Sequence, residues 1–473
     1  EHRVSEFLSD RHPYLEAPFS SEINPTQVTL AIFDRQISKL ADNLNYSGLS
    51  DELRTDALHT LNELVEHQET KDEMISYGIL SSAAVLLDSP SWPVRKEAGL
   101  LIGALVTLLR ARDISIDSEI YPALQNRLTD DVEDVRLAVA WSLRRLSESR
   151  DGVDKLVLTN SIPVMVDAFK TYSRPKHFEG RIAQYLLYLI DAFANICEFD
   201  NGIEPVLGTG LTKALLKFLT NAERLEDDFT ALSEGTLQVL SHIALSHEGK
   251  SECTDLEAIK QTSPFLLLER SVEQLRHCCS FIMAVTISLE GKHQVVEFLA
   301  DGEPVVIKRM FLLLQKSKID SVKANAIQCL HNIADLPLGF QQCVDILAAD
   351  TNLLDLVFGA KAVKPLASLL PKLSSYPNPP EVPHQSKLQG VRLITAITCL
   401  LDKYPEAIVE AIDTVNVAQK LAPFLNTEVS KLTTVCLQHI CSKDMHNLNI
   451  LKQFYRKYPS TPMSPDIEDL LAQ

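Results

Sequence analysis

The most chemistry-like string in the chain is EGKSE, Glu248 to Glu252, which resembles the end of a phosphate-binding loop. Such a loop needs an earlier glycine to turn backbone N–H groups toward the anion, and Ala244 stands where that glycine belongs. No nucleotide is expected. Gly208 and Gly210, in GTG, follow a helical stretch and do not join a strand to a helix, so they read as helix-end glycines. Cys436, His439 and Cys441 lie close together, as do His277, Cys278 and Cys279. Neighbouring residues on a helix point about 100° apart, and neither group supplies a tetrahedral ligand set, so no metal site is assigned. The sequence carries no Gly-x-Ser-x-Gly elbow and no His-Glu-x-x-His. His59, His242 and His331 read as groove-facing or core-contact residues. Catalytic, cofactor-binding and metal-binding residues are assigned to none, and an enzyme is not expected.

The elements that position these side chains recur. A unit of roughly 40–55 residues repeats, with two shorter amphipathic helices, a longer third one, and a polar loop with glycine. Its clearest copy starts at Pro304, where Val322, Ala326, Leu330 and Ile333 fall on one helix face and Gly339 closes the unit as a cap or turn residue. Val94–Arg95 and Val135–Arg136 mark two further copies, 41 positions apart. Looser copies end near Phe199 and Lys250, with Gly202 and Gly249 beside them. Together with the outer segments they make about nine units, with irregular ones at the ends. This pattern predicts an all-α armadillo/HEAT-type right-handed superhelical solenoid, one elongated body whose third helices line a concave face. Residues 1–50 form an N-terminal arm and first helix, 51–458 the repeats, and 459–473 a tail. Residues 371–387, PKLSSYPNPPEVPHQSK, interrupt the period as a loop. The arm, with Phe7, Tyr14 and Phe19 and with Thr26 as a candidate cap, and the tail, with Ile467, Leu470 and Leu471 on one side, are either docking segments or plain termini.

In armadillo proteins that grip extended peptides, third helices repeat a Trp with an Asn four residues later, so that amides bind the ligand backbone. The equivalent Asn position here reads Glu63, Arg145, Asn195, His242, Thr286, Asn332, Cys399 and His439. Only two are Asn, and Trp141 is followed at that spacing by Arg145. General peptide capture of the nuclear-import type is therefore not expected. Asn195 and Asn332 either bind one specific backbone segment or are satisfied by neighbouring loops. Candidate groove contacts are Glu63, Arg145, Asn195, His242, Asn332 and His439.

With 45 Lys plus Arg against 63 Asp plus Glu, the formal charge is −18, which repels phosphate backbones and anionic bilayers. Neither nucleic acid nor membrane is an expected partner, nor is a small-molecule substrate; other proteins are. Nine cysteines, an odd number lying mostly in apolar helical stretches, read as free buried thiols of a reducing compartment. The opening EHRVSEFLSDRHPYLEAPF carries charge throughout and has no signal-peptide run, which predicts a cytoplasmic protein.

Four phrases carry a family resemblance: NPTQVTLA (Asn24 to Ala31), GKHQV (Gly291 to Val295), VKANA (Val322 to Ala326) with Leu330, and AVKPLASLL (Ala362 to Leu370). In order and spacing, residues 24 to about 370 resemble the armadillo protein family of the ciliary radial spoke, radial spoke head protein fourteen. This chain departs from it in its proline-rich interruption, its added C-terminal units and its longer N-terminal arm. The resemblance implies a structural component of the radial spoke in the axoneme of motile cilia or flagella, a cytoskeletal location, and radial-spoke or axonemal partners. The rivals are a soluble armadillo adaptor or transport factor holding a linear peptide, and a regulatory subunit of an enzyme complex.

Overall fold

A computed structural model gives the fold and describes residues 33–472 apart from 67, 117–118, 175–180, 223–228, 371–383, 413–415 and 428. The N-terminal arm with Phe7, Tyr14, Phe19 and Thr26, and the proline run to residue 383, lie outside the described residues. The chain divides into two units, residues 1–211 and 212–473.

Each unit is built from short helices grouped in threes, and the long third helix of each group is labelled here. The first unit contains α1 (Asp51–Leu64), α2 (Trp92–Leu105), α3 (Glu133–Leu146) and α4 (Ile182–Glu198). The second contains α5 (Phe229–Ile243), α6 (Val272–Val285), α7 (Asp320–Ala334), α8 (His384–Lys403) and α9 (Ser430–Cys441). Successive third helices pack directly in the runs α1 to α4, α5 to α7 and α8 to α9. Between α7 and α8 an additional helix, Thr351–Phe358, touches both. The only strands among the described residues are the dipeptides Leu299–Ala300 and Glu303–Pro304, paired across an Asp301–Gly302 turn.

The apolar spacing that marks the repeat is the buried seam of each helix. On α7, Val322, Ala326, Leu330 and Ile333 have no exposed surface, and the larger three each contribute roughly 1.5–3 kcal/mol by leaving water. α2 and α3 approach most closely where Gly99 and Gly103 lie one turn apart. A β-carbon at Gly103 would stand 2.4 Å from the Trp141 ring, and Ser142 Oγ donates to Gly99 O at 2.6 Å.

Gly339 does not end its unit as the expected cap, and the other glycines at repeat junctions behave as it does. Gly152, Gly202, Gly249, Gly291 and Gly339 do not cap the third helix; each sits in the first turn of the following helix. A β-carbon there would fall 1.8–2.4 Å from a carbonyl oxygen at the end of the third helix, six residues back. Glycine is thus required by close approach and not by a left-handed φ. At three of these junctions a serine caps the following helix: Ser149, Ser246 and Ser288 Oγ accept from Gly152, Gly249 and Gly291 N. Gly208 and Gly210, by contrast, have φ of 80° and 76°, as helix-end glycines do.

One expected loop is also shorter. α8 begins at His384, so helix replaces the expected loop over residues 384–387. The tail folds as a helix, Pro465–Ala472, whose Ile467 and Leu470 are buried where it packs on α9, covering the last seam.

Candidate functional site

The faces of the third helices that are not buried carry the candidate residues. In the first unit, Glu63 is exposed near the C-terminus of α1, with His59 Nε2 3.6 Å from its carboxylate. The preceding residue reaches forward: Asn62 Nδ2 donates to Glu97 O at 3.0 Å and to Glu97 Oε2 at 2.8 Å on α2. Arg145 lies with its guanidinium 5.6 Å from the Trp141 ring centroid and pairs with Glu148 at 3.1 Å. Its neighbour Arg144 bridges α3 to α4 by donating to Asp191 at 2.9 Å. Burial pushes the Asp191 carboxyl upward in spite of that guanidinium.

The two asparagines hold matching positions one helix on from their partners. Asn195 Nδ2, on α4, donates to Ser147 Oγ at 3.1 Å and lies 3.5 Å from Arg144 O. Asn332 Nδ2, on α7, donates to Met283 O at 3.2 Å and Thr286 Oγ1 at 3.3 Å. In each case the hydroxyl belongs to the residue that closes the preceding third helix, and it donates in turn to the same carbonyl. These amides therefore supply donors to helix-end carbonyls that the previous helix leaves without intrahelical partners. Thr286, itself at an aligned groove position, is fully buried.

In the second unit, His242 on α5 is half-buried near His277 on α6. Burial lowers the His277 pKa, Glu273 opposes that shift, and His242 and Arg276 add to it. His439 Nε2 is 3.4 Å from Asp402 Oδ1, linking α9 to α8, and Cys399 is exposed on α8. Glu63, Arg145 and Asn195 thus fall on three helices of the first unit, and His242, Asn332 and His439 on three helices of the second; no two of the six share a helix.

The motifs that resemble chemistry have structural uses. In EGKSE, Gly249 N donates to the Ser246 cap, and Lys250 Nζ donates to Leu245 O at 2.8 Å and Ser246 O at 3.3 Å. The GKHQV phrase repeats that turn, with Lys292 pairing with Asp335 at 2.5 Å. Among the described residues no three His, Cys, Asp or Glu side chains converge to hold a metal ion. Cys278, Cys279, Cys436 and Cys441 are buried free thiols. No described helix is long and apolar enough to cross a membrane.

Sequence reasoning passed over one buried charge pair. Arg95 donates from Nε and Nη2 to the two oxygens of Asp130, both at 2.9 Å, and from Nη1 to Ser89 O and Pro90 O at 3.1 Å. The two side chains are 8% and 1% exposed. Burial pushes the Asp130 carboxyl up, but hydrogen bonds from Arg95 and Val132 N outweigh it and leave the pKa below its ordinary value. The signal was present: Val-Arg stands in both early copies of the repeat, with an Asp in the turn ahead of the second.

The HEAT repeat profile matches residues 120–150, which span this turn and α3. An engineered protein solved by a structural genomics consortium aligns with a TM-score of 0.56 at 18% identity, covering 92% of this chain and 97% of that one. A designed armadillo repeat protein in complex with the peptide (KR)4 aligns at a TM-score of 0.45 and 20% identity, over 53% of this chain and 99% of that one. No curated protein sequence matches the chain. The fold is all-α and built of repeats of the armadillo/HEAT type, with a HEAT repeat matched at residues 120–150.

Proposed function

We propose that this protein is a non-enzymatic scaffold that holds other proteins against the exposed faces of its third helices, as a structural subunit of the radial spoke in the axoneme of motile cilia or flagella. One observation carries the scaffold reading: the asparagines that would read an extended backbone are engaged in joining one repeat to the next. What remains part-exposed is a mosaic of charged and aromatic groups, such as Trp141 with Arg145 and Arg144 with Asp191. Such a surface complements one shaped partner in a lasting complex better than it serves varied linear peptides. The axonemal assignment rests on the phrases NPTQVTLA, GKHQV, VKANA and AVKPLASLL. The partners it implies are other spoke or axonemal subunits.

The test is affinity purification of the tagged protein from flagellated cells, beside an Arg144→Glu/Arg145→Glu variant. Wild type should bring down a stoichiometric set of axonemal proteins, and the variant should lose at least one of them. Recovery of the tagged chain alone, or an identical set from both, contradicts the proposal.

A further inference from the structure

The end of the second unit is built differently from the repeats before it. In regular repeats a second helix packs on the second helix of its neighbour, as Ile79–Leu86 does on Ile120–Arg127, and that helix on Ser161–Tyr172. After α9 the chain makes a first-type helix, Met445–Lys457, and then the short helix Pro465–Ala472 that covers α9. Residues 458–464 between them form no helix, so among the described residues no further second helix lies against Val417–Leu421, the second helix of the last repeat. A groove of about 450 Å³ opens there, within the range of roughly 300–1,000 Å³ typical of ligand sites.

Four amide side chains enter this groove: Asn416 and Gln419 from one wall, Asn449 and Gln453 from the other. None is seen to hydrogen-bond another described residue. The aromatic rings of Phe454 and Tyr458 lie 5.0 Å apart at one end, with Lys457 Nζ 5.3 Å from the Tyr458 ring. Lys457 is the cationic lining group, the His446 imidazole lines the groove beside it, and no carboxylate is among the described lining residues. Met445–Lys457 contains Lys452, Arg456 and Lys457 and no Asp or Glu, in a chain of formal charge −18. The walls are joined by the buried Asn447, which accepts from Ala418 N at 3.2 Å and is held on its own wall by donating to the cap residue Asp444 at 2.6 Å.

We propose that this groove captures an extended segment of a partner protein that carries acidic side chains. Side-chain amides present a donor and an acceptor each, which suits the N–H and C=O groups of a strand-like backbone. Lys457 supplies the charge complement to carboxylates, the His446 ring N–H adds a donor, and the aromatic pair receives an apolar side chain. Because the walls are already joined, little ordering of the protein opposes binding. The site lies between first- and second-type helices, apart from the third-helix faces, and so extends the scaffold reading to a second contact.

The experiment pans a random-peptide display library against the full chain and titrates the enriched peptides by fluorescence anisotropy. Enriched peptides should contain Asp or Glu, bind more weakly as salt rises, and lose about tenfold or more in affinity to Asn449→Ala/Gln453→Ala and to Lys457→Glu. They should bind Arg144→Glu/Arg145→Glu as they bind wild type, which separates this site from the third-helix faces. Absence of enrichment, peptides indifferent to the groove variants, or enriched helical apolar sequences without acids would each overturn the proposal.

Discussion

Replacing Gly291 with Ala sets two effects of opposite sign against each other. In an unobstructed helix the change stabilises by about 1 kcal/mol, because Ala lacks the backbone entropy cost of Gly. Here the added methyl would lie 2.2 Å from Val285 O and 2.8 Å from Val285 C, both backbone atoms that no rotamer change can move. The first turn of Leu289–Glu297 must then retreat by the better part of an ångström. Such overpacking costs about 1–3 kcal/mol, and the retreat also loosens the bond from Gly291 N to Ser288 Oγ, a cap of about 1 kcal/mol. The net expectation is destabilisation by about 1–3 kcal/mol. Urea unfolding followed by circular dichroism should show a lowered midpoint at unchanged slope. The structure supplies its own control: at the same offset in the first two repeats stand Thr70 and Ala111, where a β-carbon is accommodated. Ala111→Gly should cost only the helix-propensity difference of about 1 kcal/mol. A Gly291→Ala variant as stable as wild type, or more stable, would refute the close-approach explanation for all five junction glycines.

Further outcomes follow from the same contacts. Arg95→Met should destabilise by about 3–5 kcal/mol, since it strands the buried Asp130 carboxylate. The depressed Asp130 pKa makes its ionised form stabilising above its unfolded value near 3.8, so that contribution is constant at neutral pH and lost as pH falls through the folded value; Asp130→Asn should flatten that acid limb in pH-dependent melts. Iodoacetamide mass mapping of native protein should label Cys399 first, because Cys197, Cys253, Cys329, Cys436 and Cys441 are buried with thiols pushed up to about 12. Ile467→Ala should cost about 2–5 kcal/mol and raise amide exchange in α9, which the tail helix covers.

The nine third helices were legible because burial imposes a 3.6-residue period that survives sequence divergence. Val322, Ala326, Leu330 and Ile333 show it in the sequence and form the seam in the fold. Junction glycines were visible as residues but not in their role, since close approach to a carbonyl six residues back depends on the angle between two helices. The tail helix likewise showed its apolar side, while its target on α9 is a tertiary fact. For the candidate site, sequence alignment put Asn195 and Asn332 at equivalent positions, and the structure gives them equivalent bonds. It left open whether those bonds went outward or inward, because hydroxyl partners such as Ser147 and Thr286 lie about 45–50 residues away. The groove beside Met445–Lys457 left no pattern at all, since it arises from a helix that the last repeat does not have.

The central claim, that this chain is a lasting structural part of the axoneme, is tested most directly by where it fractionates. Flagella from cells expressing the tagged protein would be demembranated with detergent, extracted with rising salt and then chaotrope, and each fraction blotted. A subunit held by a large shaped interface should stay with the axonemal pellet through detergent and moderate salt, leaving only in strong salt or chaotrope. Release of the protein into the detergent-soluble fraction, with no axonemal signal, would contradict the claim and leave the repeat fold standing.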